Sequence, residues 1–383
     1  MKVKCTIVRG GTSKGVLIHR DELPSDPKTR DETILAIFGS PDRRQIDGLG
    51  GSDVLTSKLA IVGAPTRDDA DIDYTFGQVG IETPYVDYGG YCGNILSAVA
   101  SYAVDEKFVS VDRTSAKVRV HVTNTGRIVV AEVPVANGRA AEEGAARIFG
   151  VPGSGAPIVL NFADTVGSIT GKVFPTGRAR DRVSVPSVGE IEVSIVDCGN
   201  PMIFARLESF RVSVDESADA LDARRDLISA LEEMRARLAR EFDITMPDGS
   251  VSEHIPIVAL VAPPQDYRSY GSNELITKES CDLVSREFFC GRVHKAYGVG
   301  ETVCTSFAAL LPETIVNSAA GSPCQQNRRI RIGHPSGVID SEVSLKQVGG
   351  SVGADAILVV RTARRIMDGV VHVREGIESA SRG

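Results

Sequence analysis

Two short, almost wholly apolar helical segments, each preceded by glycines, constrain most strongly what this chain can fold into. Residues 94–104 carry small or apolar side chains on nearly every face, and residues 303–311 repeat that composition. A helix that is apolar all round is buried on all sides and needs other elements wrapped around it. The chain is therefore predicted to contain two units of the same kind, each built around one central helix.

The elements around these helices are predicted to be β-strands. Short β-branched segments bounded by turn residues recur along the chain and have the length of strands. These segments are Lys2–Val8, Val54–Val62, Lys117–Val122, Arg127–Val133, Glu190–Val196, Pro256–Val261 and Ala356–Val360. Two further helices are predicted, one over residues 26–38 and one over residues 215–242, the latter amphipathic and covering a sheet. The predicted fold class is α+β.

Length, charge and cysteine usage narrow the class of protein. At 383 residues the chain exceeds the size at which a single core stops growing, so two domains or two halves of a duplicated fold are expected. A net charge of −7 without any basic run argues against nucleic acid as a partner. The longest apolar stretch, residues 255–262, is too short to cross a membrane. Seven scattered cysteines indicate reduced thiols and a cytoplasmic protein.

The first candidate for chemistry is Cys92, which opens the first central helix. The unpaired N–H groups and positive dipole end of a helix N-terminus can lower the pKa of a thiol and can bind an anion. The alternative is a small buried cysteine that only packs. Position alone leaves both interpretations open.

Lys58 is the second candidate, because it lies within the apolar β-type run of residues 54–62. Burial lowers the pKa of a lysine below the ~10.4 of a model lysine and makes it a usable base near neutral pH. The alternative is a lysine at a strand edge that reaches water. The third candidate is Arg9–Gly15, whose glycines and hydroxyls can wrap an anion with backbone amides.

Nucleotide and metal motifs are not found in the sequence. Neither Walker A nor the dinucleotide fingerprint has the required spacing, and no nucleophile elbow occurs. A zinc site is disfavoured because no CxxC pair anchors the loose group of candidate ligands. That group comprises Cys281, Cys290, His294 and Cys304. The sequence predicts neither a metal nor another cofactor.

Eight short segments, spread in order over nearly the whole chain, are recognisable as a set. They are Arg9–Gly15 (RGGTSKG), Ile46–Val62, Val86–Asn94 (VDYGGYCGN), Pro175–Gly177, Asp197–Phe204 (DCGNPMIF), Val293–Tyr297 (VHKAY), Ile332–Gly337 (IGHPSG) and Arg361–Arg364 (RTAR). With these segments the chain resembles the 2-methylaconitate cis-trans isomerase family, or PrpF type, which has the diaminopimelate epimerase-like fold.

The resemblance implies two similar halves, each a mostly antiparallel sheet around a central helix, with the site in the cleft between them. The halves are expected at residues 1–185 and 186–383. The resemblance also implies an isomerase without a cofactor that moves a C=C bond in a small unsaturated di- or tricarboxylate. Familiar substrates are 2-methylaconitate, 4-oxalomesaconate and 3-methylitaconate. Lys58 and Cys92 match the residues assigned to the active site in this family.

A mechanism follows from these residue types. Removal of a proton allylic to the C=C bond gives a dienolate, and return of the proton at the other end shifts the bond. Lys58 is expected to be the base and Cys92 the second proton carrier. The groups expected to hold carboxylates and developing charge are Thr12, Ser13, Lys14, Ser57, Gly93, Asn94, Asn200 and His294.

One departure from the family pattern precedes the second central helix. Where the family usually has Thr-Gly, this chain has Gly300–Glu301. A carboxylate is favourable at a helix N-terminus, but it competes with an anionic substrate for the same amides. The sequence therefore leaves open which polycarboxylate is used, and it leaves a homodimer open as well.

Two other functions remain as alternatives. An amino-acid epimerase of the two-cysteine kind needs a cysteine leading the second central helix, but Tyr297 or Gly298 stands there and Cys304 lies inside the helix. A catalytically inactive polycarboxylate-binding protein would use the same cleft, although it would be free to lose Lys58 and Cys92.

Overall fold

A computed structural model describes residues 1–245, 249–326 and 328–373, without the side chains of residues 322–326. The strands of this part of the chain are β1 Lys2–Gly10, β2 Ser13–His19, β3 Lys58–Gly63, β4 Ile72–Val79, β5 Val86–Asp87, β6 Ser115–Val122, β7 Arg127–Ala136, β8 Arg139–Ala140, β9 Ile158–Asn161, β10 Asp181–Val185, β11 Gly189–Cys198, β12 Asn200–Arg206, β13 Ile257–Ala262, β14 Tyr267–Arg268, β15 Leu275–Ile276, β16 Leu283–Phe289, β17 Arg292–Val293, β18 Arg329–His334, β19 Gly337–Val348, β20 Ser351–Arg361 and β21 Ala363–His372. The helices are α1 Pro27–Phe38, α2 Gly93–Asp105, α3 Ala218–Ala223, α4 Arg225–Glu241, α5 Val299–Ala309 and α6 Ile315–Gln326.

The strands form one continuous ribbon that wraps around two helices. Hydrogen-bonded neighbours follow the order β21-β1-β2-β3-β4-β6-β7-β9 and continue as β20-β19-β18-β16-β13-β12-β11-β10. Strands of the first group pack around α2, whereas β11, β12, β18, β19 and β20 of the second group pack around α5. This arrangement confirms the predicted α+β class with two similar halves.

The two halves repeat one pattern of strand pairing. From β1 to β9 the pairs run antiparallel, parallel, antiparallel, parallel, antiparallel, antiparallel. From β11 to β20 the pairs run in the same order. The repeat makes β2 equivalent to β12, β3 equivalent to β13 and α2 equivalent to α5. Structural equivalence is therefore clear although the two halves share little residue-by-residue similarity.

The predicted domain boundary between residues 185 and 186 stays a prediction. Two pairs of hydrogen-bonded strands join residues on opposite sides of this boundary. β10, at the end of the first segment, pairs with β11, and β21, at the end of the chain, pairs with β1.

Both central helices lie within one hydrophobic core and touch at their N-termini. Gly93, the first residue of α2, contacts Val299, the first residue of α5; a Cβ on Gly93 would lie 2.7 Å from the Val299 Cγ1. The predicted helix at 94–104 is observed at 93–105. The second begins four residues before the predicted 303, so that Gly300 and Glu301 belong to its first turn.

The predicted helix over residues 215–242 is wrong in its continuity. Two helices, α3 and α4, occupy the segment and are separated at Arg224, whose ψ of 79° is not helical. The Arg224 guanidinium donates to the carbonyls of Phe210 and Arg211, and these bonds hold the break in place. The predicted strand at 54–62 starts only at Lys58. No helix in the described ranges is long and apolar enough to cross a membrane.

Candidate active site

Lys58 lies at the junction of the two halves, where strand β3 begins. The side chain is buried, with the residue 3% exposed, and its Nζ donates to Gln78 Oε1 at 2.8 Å. The Nζ also lies 5.2 Å from the ring centroids of Phe76 in β4 and Phe289 in β16. The Gln78 amide is oriented by its Nε2, which donates to the carbonyls of Val54 and Ser57. The amine is thus bound by a neutral amide between two aromatic rings.

Cys92 is the N-cap residue of α2 and makes no side-chain capping bond. The residue is buried, and its Sγ lies 3.9 Å from Ser13 Oγ. Its carbonyl accepts from the Tyr74 hydroxyl at 3.1 Å and from the Leu96 amide at 3.0 Å. These bonds fix the thiol at the start of the buried helix.

The β1–β2 turn brings further predicted ligands to this helix start. Asn94 Nδ2 donates to Thr12 Oγ1 at 3.2 Å, and Ser13 lies beside Cys92. Gly11, with φ +47°, is required here because a Cβ on it would overlap the Asn94 side chain. Lys14 alternates to the opposite face of β2 from Ser13 and is half-buried. Thr12, Ser13 and Asn94 are therefore brought together with Cys92.

Three predicted ligands are occupied by contacts within the protein. Ser57 donates from its Oγ to Gln45 Oε1 at 2.6 Å. Gly93 packs against α5. Asn200 accepts from the Tyr91 amide and donates to the Tyr91 carbonyl, at 3.2 and 3.0 Å. Asn200 thus ties the start of β12 in the second half to the segment before Cys92, and its role as a substrate ligand stays a prediction.

His294 is a neutral imidazole near Lys58. Burial, followed by the charge of Lys58, lowers the pKa of His294 to about 4. Its Nδ1 accepts from the Ala296 amide at 3.1 Å, so the proton is on Nε2. A neutral His294 can donate one hydrogen bond to a substrate oxygen without adding charge.

Two more buried histidines, which sequence analysis did not select, lie in the same region. His254 stands edge-on to Phe76 and Phe289, with ring centroids 5.5 and 4.7 Å apart, and its Nδ1 has no hydrogen-bond partner. His334 stacks on Tyr297 at 6.3 Å. Burial is the main cause that lowers the pKa of both well below the usual value. The neutral His254 imidazole therefore lies near the amine, against the same two aromatic rings.

Glu287 and Glu301 form a buried carboxyl pair at the start of α5. Glu287 Oε2 accepts from the Gly298 amide at 2.9 Å, and Glu301 Oε1 accepts from Asn200 Nδ2 at 2.7 Å. A Cβ on Gly298 would overlap the Glu301 carboxyl group, so glycine makes the room for it. Burial, and then the charge of Glu301, raises the pKa of Glu287 well above its usual value, and burial also raises the pKa of Glu301. Both shifts favour the protonated form of these carboxyls, because ionising two neighbouring buried carboxyls is unfavourable.

A cleft of about 870 Å³ includes Thr12 of this region and is lined also by Leu55, Lys295, Ser336 and residues 147–153. Lys58 and Cys92 do not line this cleft. Phe149 packs against Gly337, where a Cβ would overlap the Phe149 ring. The segment around Phe149 thus connects the first half of the fold to the second across the cleft.

The loose cysteine–histidine group weighed for zinc is not assembled. Cys304 is buried in α5, and its Sγ donates to the Val196 carbonyl. Cys281 lies in a separate small core with Tyr267 and Val284. Among the described residues no three His, Cys, Asp or Glu side chains are arranged to hold a metal ion. Six cysteines with described side chains are free thiols. Cys324 lies outside the described side chains.

Comparison with known proteins places this site in a family. The model of the PrpF protein family matches residues 1–374. The chain belongs to the PrpF family. Its catalytic candidates, Lys58 and Cys92, both lie within the matched range.

Relatives in the PrpF family align over almost their full length. The chain is 44% identical to 3-methylitaconate isomerase of Eubacterium barkeri, over 98% of each chain. It is 38% identical to 4-oxalomesaconate tautomerase of Pseudomonas putida, over 97% of this chain and 96% of that protein. It is 33% identical to 2-methyl-aconitate isomerase of Cupriavidus necator, over 97% of each. The names describe isomerases or tautomerases, which confirms the predicted class of enzyme.

Solved structures give the same family and fold. The crystal structure of methylitaconate-delta-isomerase is 44% identical, with a TM-score of 0.77 over 97% of this chain and 96% of that one. A hydroxyproline epimerase from Agrobacterium vitis, at 12% identity and a TM-score of 0.57, shares the fold alone over 97% of this chain and 91% of that one. The predicted PrpF family and epimerase-like fold are confirmed. The roles of the individual site residues stay predictions.

Proposed function

We propose that this PrpF-family protein moves a C=C bond within a small unsaturated di- or tricarboxylate by transfer of a proton between allylic carbons. The observation that carries this proposal is the setting of Lys58. Its buried Nζ is bound to a neutral amide oxygen and makes no ion pair with any described residue. A lysine held by a carboxylate would keep its proton, whereas this amine is available to exchange one with a bound acid.

Each proton carrier has one step in the proposed reaction. In its unprotonated form, the Nζ of Lys58 takes the allylic proton and leaves a dienolate. The Cys92 thiol, or the ammonium just formed on Lys58, returns a proton at the other end of the allylic system. A thiolate left on Cys92 regains its proton from Lys58, so that both groups end as they began. The net reaction moves one proton and one double bond.

Fixed neutral dipoles support the developing charge. The Nε2–H of His294 and the free amides at the start of α2 can hold the dienolate oxygens without prior charge. Burial of these groups strengthens each electrostatic interaction with the substrate.

The test is proton NMR in D2O, with EDTA present, on methylitaconate, oxalomesaconate and 2-methylaconitate. We expect at least one acid to exchange its allylic protons and to give a second isomer, and we expect no exchange with Lys58→Met. The proposal fails if the wild-type protein exchanges none of the three while it binds them. That result would favour the inactive polycarboxylate-binding protein.

The two-cysteine epimerase is less well supported. The repeat of strand pairing makes the N-cap of α5 equivalent to the N-cap of α2, and Gly298 stands there instead of cysteine. Cys304 lies inside α5 and bonds to the Val196 carbonyl. The second half therefore presents no thiol at the position equivalent to Cys92.

We also propose a cytoplasmic homodimer that binds no nucleic acid. The free thiols of the described cysteines support a reducing compartment. Strand β21 pairs only with β1 among the described strands, and it exposes Ile366, Met367 and Val370 at about half of their surface. Those side chains are the first candidates for a contact between two copies. Sedimentation of the wild type and of Met367→Glu tests the dimer, which the charge should weaken.

A further inference from the structure

Arg361, at the end of β20, is a buried cation without a counterion. The residue is 5% exposed, and its Nη1 donates to the neighbouring Val360 carbonyl at 2.7 Å. Its Nε has no hydrogen-bond partner, and it forms no ion pair within the described ranges. Burial of an unpaired guanidinium is unfavourable. Such a position indicates an anionic partner that the described protein does not supply.

The side chain of Arg361 packs against the start of α2. A Cβ on Gly11 would lie 2.9 Å from Arg361 Cδ and would overlap the Asn94 side chain. Asn94 Oδ1 is also without a partner, while its Nδ2 reaches Thr12. Arg361 therefore adjoins the cluster of Thr12 and Asn94, and Asn94 is two residues from Cys92.

A cavity of about 230 Å³ opens at Arg361 and is lined in part by Thr12, Arg147 and His334. Asp340, the carboxylate on its wall, is already paired with Arg329, whose Nε lies 2.6 Å from Asp340 Oδ2. His334 is neutral because burial lowers its pKa, and burial lowers the pKa of Arg361 only to about 10, so Arg361 stays charged. Arg147 and Arg361 thus leave the cavity with excess positive charge. Its volume is below that of sites for drug-sized ligands and suits one end of a small anion.

We propose that Arg361 binds a carboxylate of the substrate, through Nε and Nη2, in this cavity. A guanidinium presents two parallel N–H groups that match one carboxylate, which a lysine cannot do. One substrate carboxylate then lies at Arg361 while the allylic carbons lie between Lys58 and Cys92. The cavity thereby selects acids that carry a second carboxylate. This inference rests on the proposed function for the reaction, but binding can be measured without turnover.

Calorimetric titration with two unreactive acids tests the proposal. The probes are 2-methylsuccinate, a saturated dicarboxylate, and 2-methylbutyrate, which lacks the second carboxylate. Wild type, Arg361→Gln and Arg182→Gln are compared. Arg182 carries the same charge as Arg361, but it is exposed on β10 and does not line the cavity.

We expect wild type to prefer the dicarboxylate, and we expect Arg361→Gln to lose about ten- to a hundredfold of that preference, as for a charged hydrogen-bonded pair. Arg182→Gln should keep the preference within about twofold. Equal weakening of both acids by Arg361→Gln, or no measurable binding of the dicarboxylate by wild type, overturns the proposal. If Arg361→Gln does not fold, Arg361→Lys replaces it and should lose at least about fivefold, because it lacks the planar fork; a full preference in that variant also overturns the proposal.

Turnover separates this inference from the proposed function. If no unsaturated acid is isomerised but Arg361→Gln still loses its preference, the reaction is wrong and the subsite stands. If an acid is isomerised and Arg361→Gln keeps both its KM and its preference, the reaction stands and the subsite is wrong.

Discussion

Lys58 is the single residue whose replacement best distinguishes a base from a carboxylate anchor. Lys58→Met should reduce kcat by at least about a hundredfold, the usual contribution of a general base. The melting temperature should be unchanged or higher, because the thioether suits the space between Phe76 and Phe289 and a buried amine is costly. Lys58→Arg should fail as well, because guanidinium does not give up its proton.

The control for these variants is Lys117→Met on the exposed face of β6, which should leave kcat unchanged. Near wild-type turnover by Lys58→Arg would make Lys58 an anchor. The base would then have to be sought at Cys92 or His294.

Cys92 should be tested as a proton carrier by replacement with serine. We expect Cys92→Ser to fold and to lose at least about tenfold in kcat, because a hydroxyl is a much weaker acid than a thiol. Cys5→Ser is a matched control, since both residues are similarly buried, at 8% and 9% exposed, and Cys5 lies in β1 away from the site. Steady-state kinetics on the substrate found by NMR gives the comparison. Full activity of Cys92→Ser would leave the thiol only a packing role.

Glu301 should make the protein less stable as pH rises. An unfolded glutamate titrates near 4.3, whereas burial raises the pKa of Glu301 in the folded state. Between these two pKa values the folded state binds more protons, so the free energy of unfolding decreases as pH rises, by at most about 1.4 kcal/mol per pH unit for one group. Glu301→Gln keeps an acceptor for Asn200 and removes this dependence.

Thermal unfolding at pH 5 and pH 8 checks that prediction. The melting temperature of Glu301→Gln minus that of wild type should be larger at pH 8. Glu190→Gln, on the exposed end of β11, should show no such difference. An equal effect of Glu301→Gln at both pH values would contradict the raised pKa of Glu301.

At the scale of elements, the contact between the two central helices tolerates no added atom. A Cβ on Gly93 would lie 2.7 Å from Val299 Cγ1 and 2.8 Å from its Cβ. Gly93→Ala should therefore reduce the free energy of unfolding by about 1–3 kcal/mol, as overpacking does, and reduce kcat by displacing Cys92. Denaturant unfolding measures the first effect. Val299→Ala in the same chain should recover part of both losses, and a Gly93→Ala variant as stable as wild type would refute the close contact.

Sequence patterns predicted an element well where the surroundings of that element are reflected in its own residues. Residues 94–104 are apolar all round because α2 is enclosed by strands, and the helix is found within one residue of the prediction at each end. The apolar stripe over 215–242 continues across Arg224, so nothing local marks the break. The break is stabilised by tertiary hydrogen bonds, which the Arg224 guanidinium donates to the carbonyls of residues 210 and 211.

The same distinction explains which site residues sequence reasoning found. Lys58 and Cys92 stand out because their neighbours are apolar and because they match a family. Glu287, which follows Arg286, and Arg361 are charged residues in β-type segments, where alternation usually sends such side chains to solvent. Only the pairing of strands from distant parts of the chain shows that these two charges are buried.

For the whole molecule, the repeated strand pairing shows that the two halves have equivalent backbones but different side chains at the equivalent positions of the site. The register that pairs Gly15 with Lys58 pairs Met202 with Ile257, so an apolar residue takes the place of the lysine in the second half. At the helix starts, Cys92 is matched by Gly298. The second half instead contributes Phe289, His294 and the carboxyl pair. The site is therefore asymmetric and complete only when both halves are folded together.

The meeting of α2 and α5 at their first residues also sets how stable the empty protein is. Each helix N-terminus carries about half a positive charge, so two such ends in contact repel unless anions lie beside them. The Glu287 and Glu301 carboxyls lie at the start of α5, and a bound polycarboxylate would add negative charge there. Binding of this kind adds to the free energy of unfolding, by about 2.7 kcal/mol at a ligand concentration 100 times Kd.

Differential scanning fluorimetry should therefore show a melting temperature that rises with 2-methylsuccinate and does not rise with its neutral dimethyl ester. An equal rise with both compounds would contradict the electrostatic origin. Because proteases act on the unfolded fraction, the amount of this protein that a cell retains would then depend on the supply of its substrate.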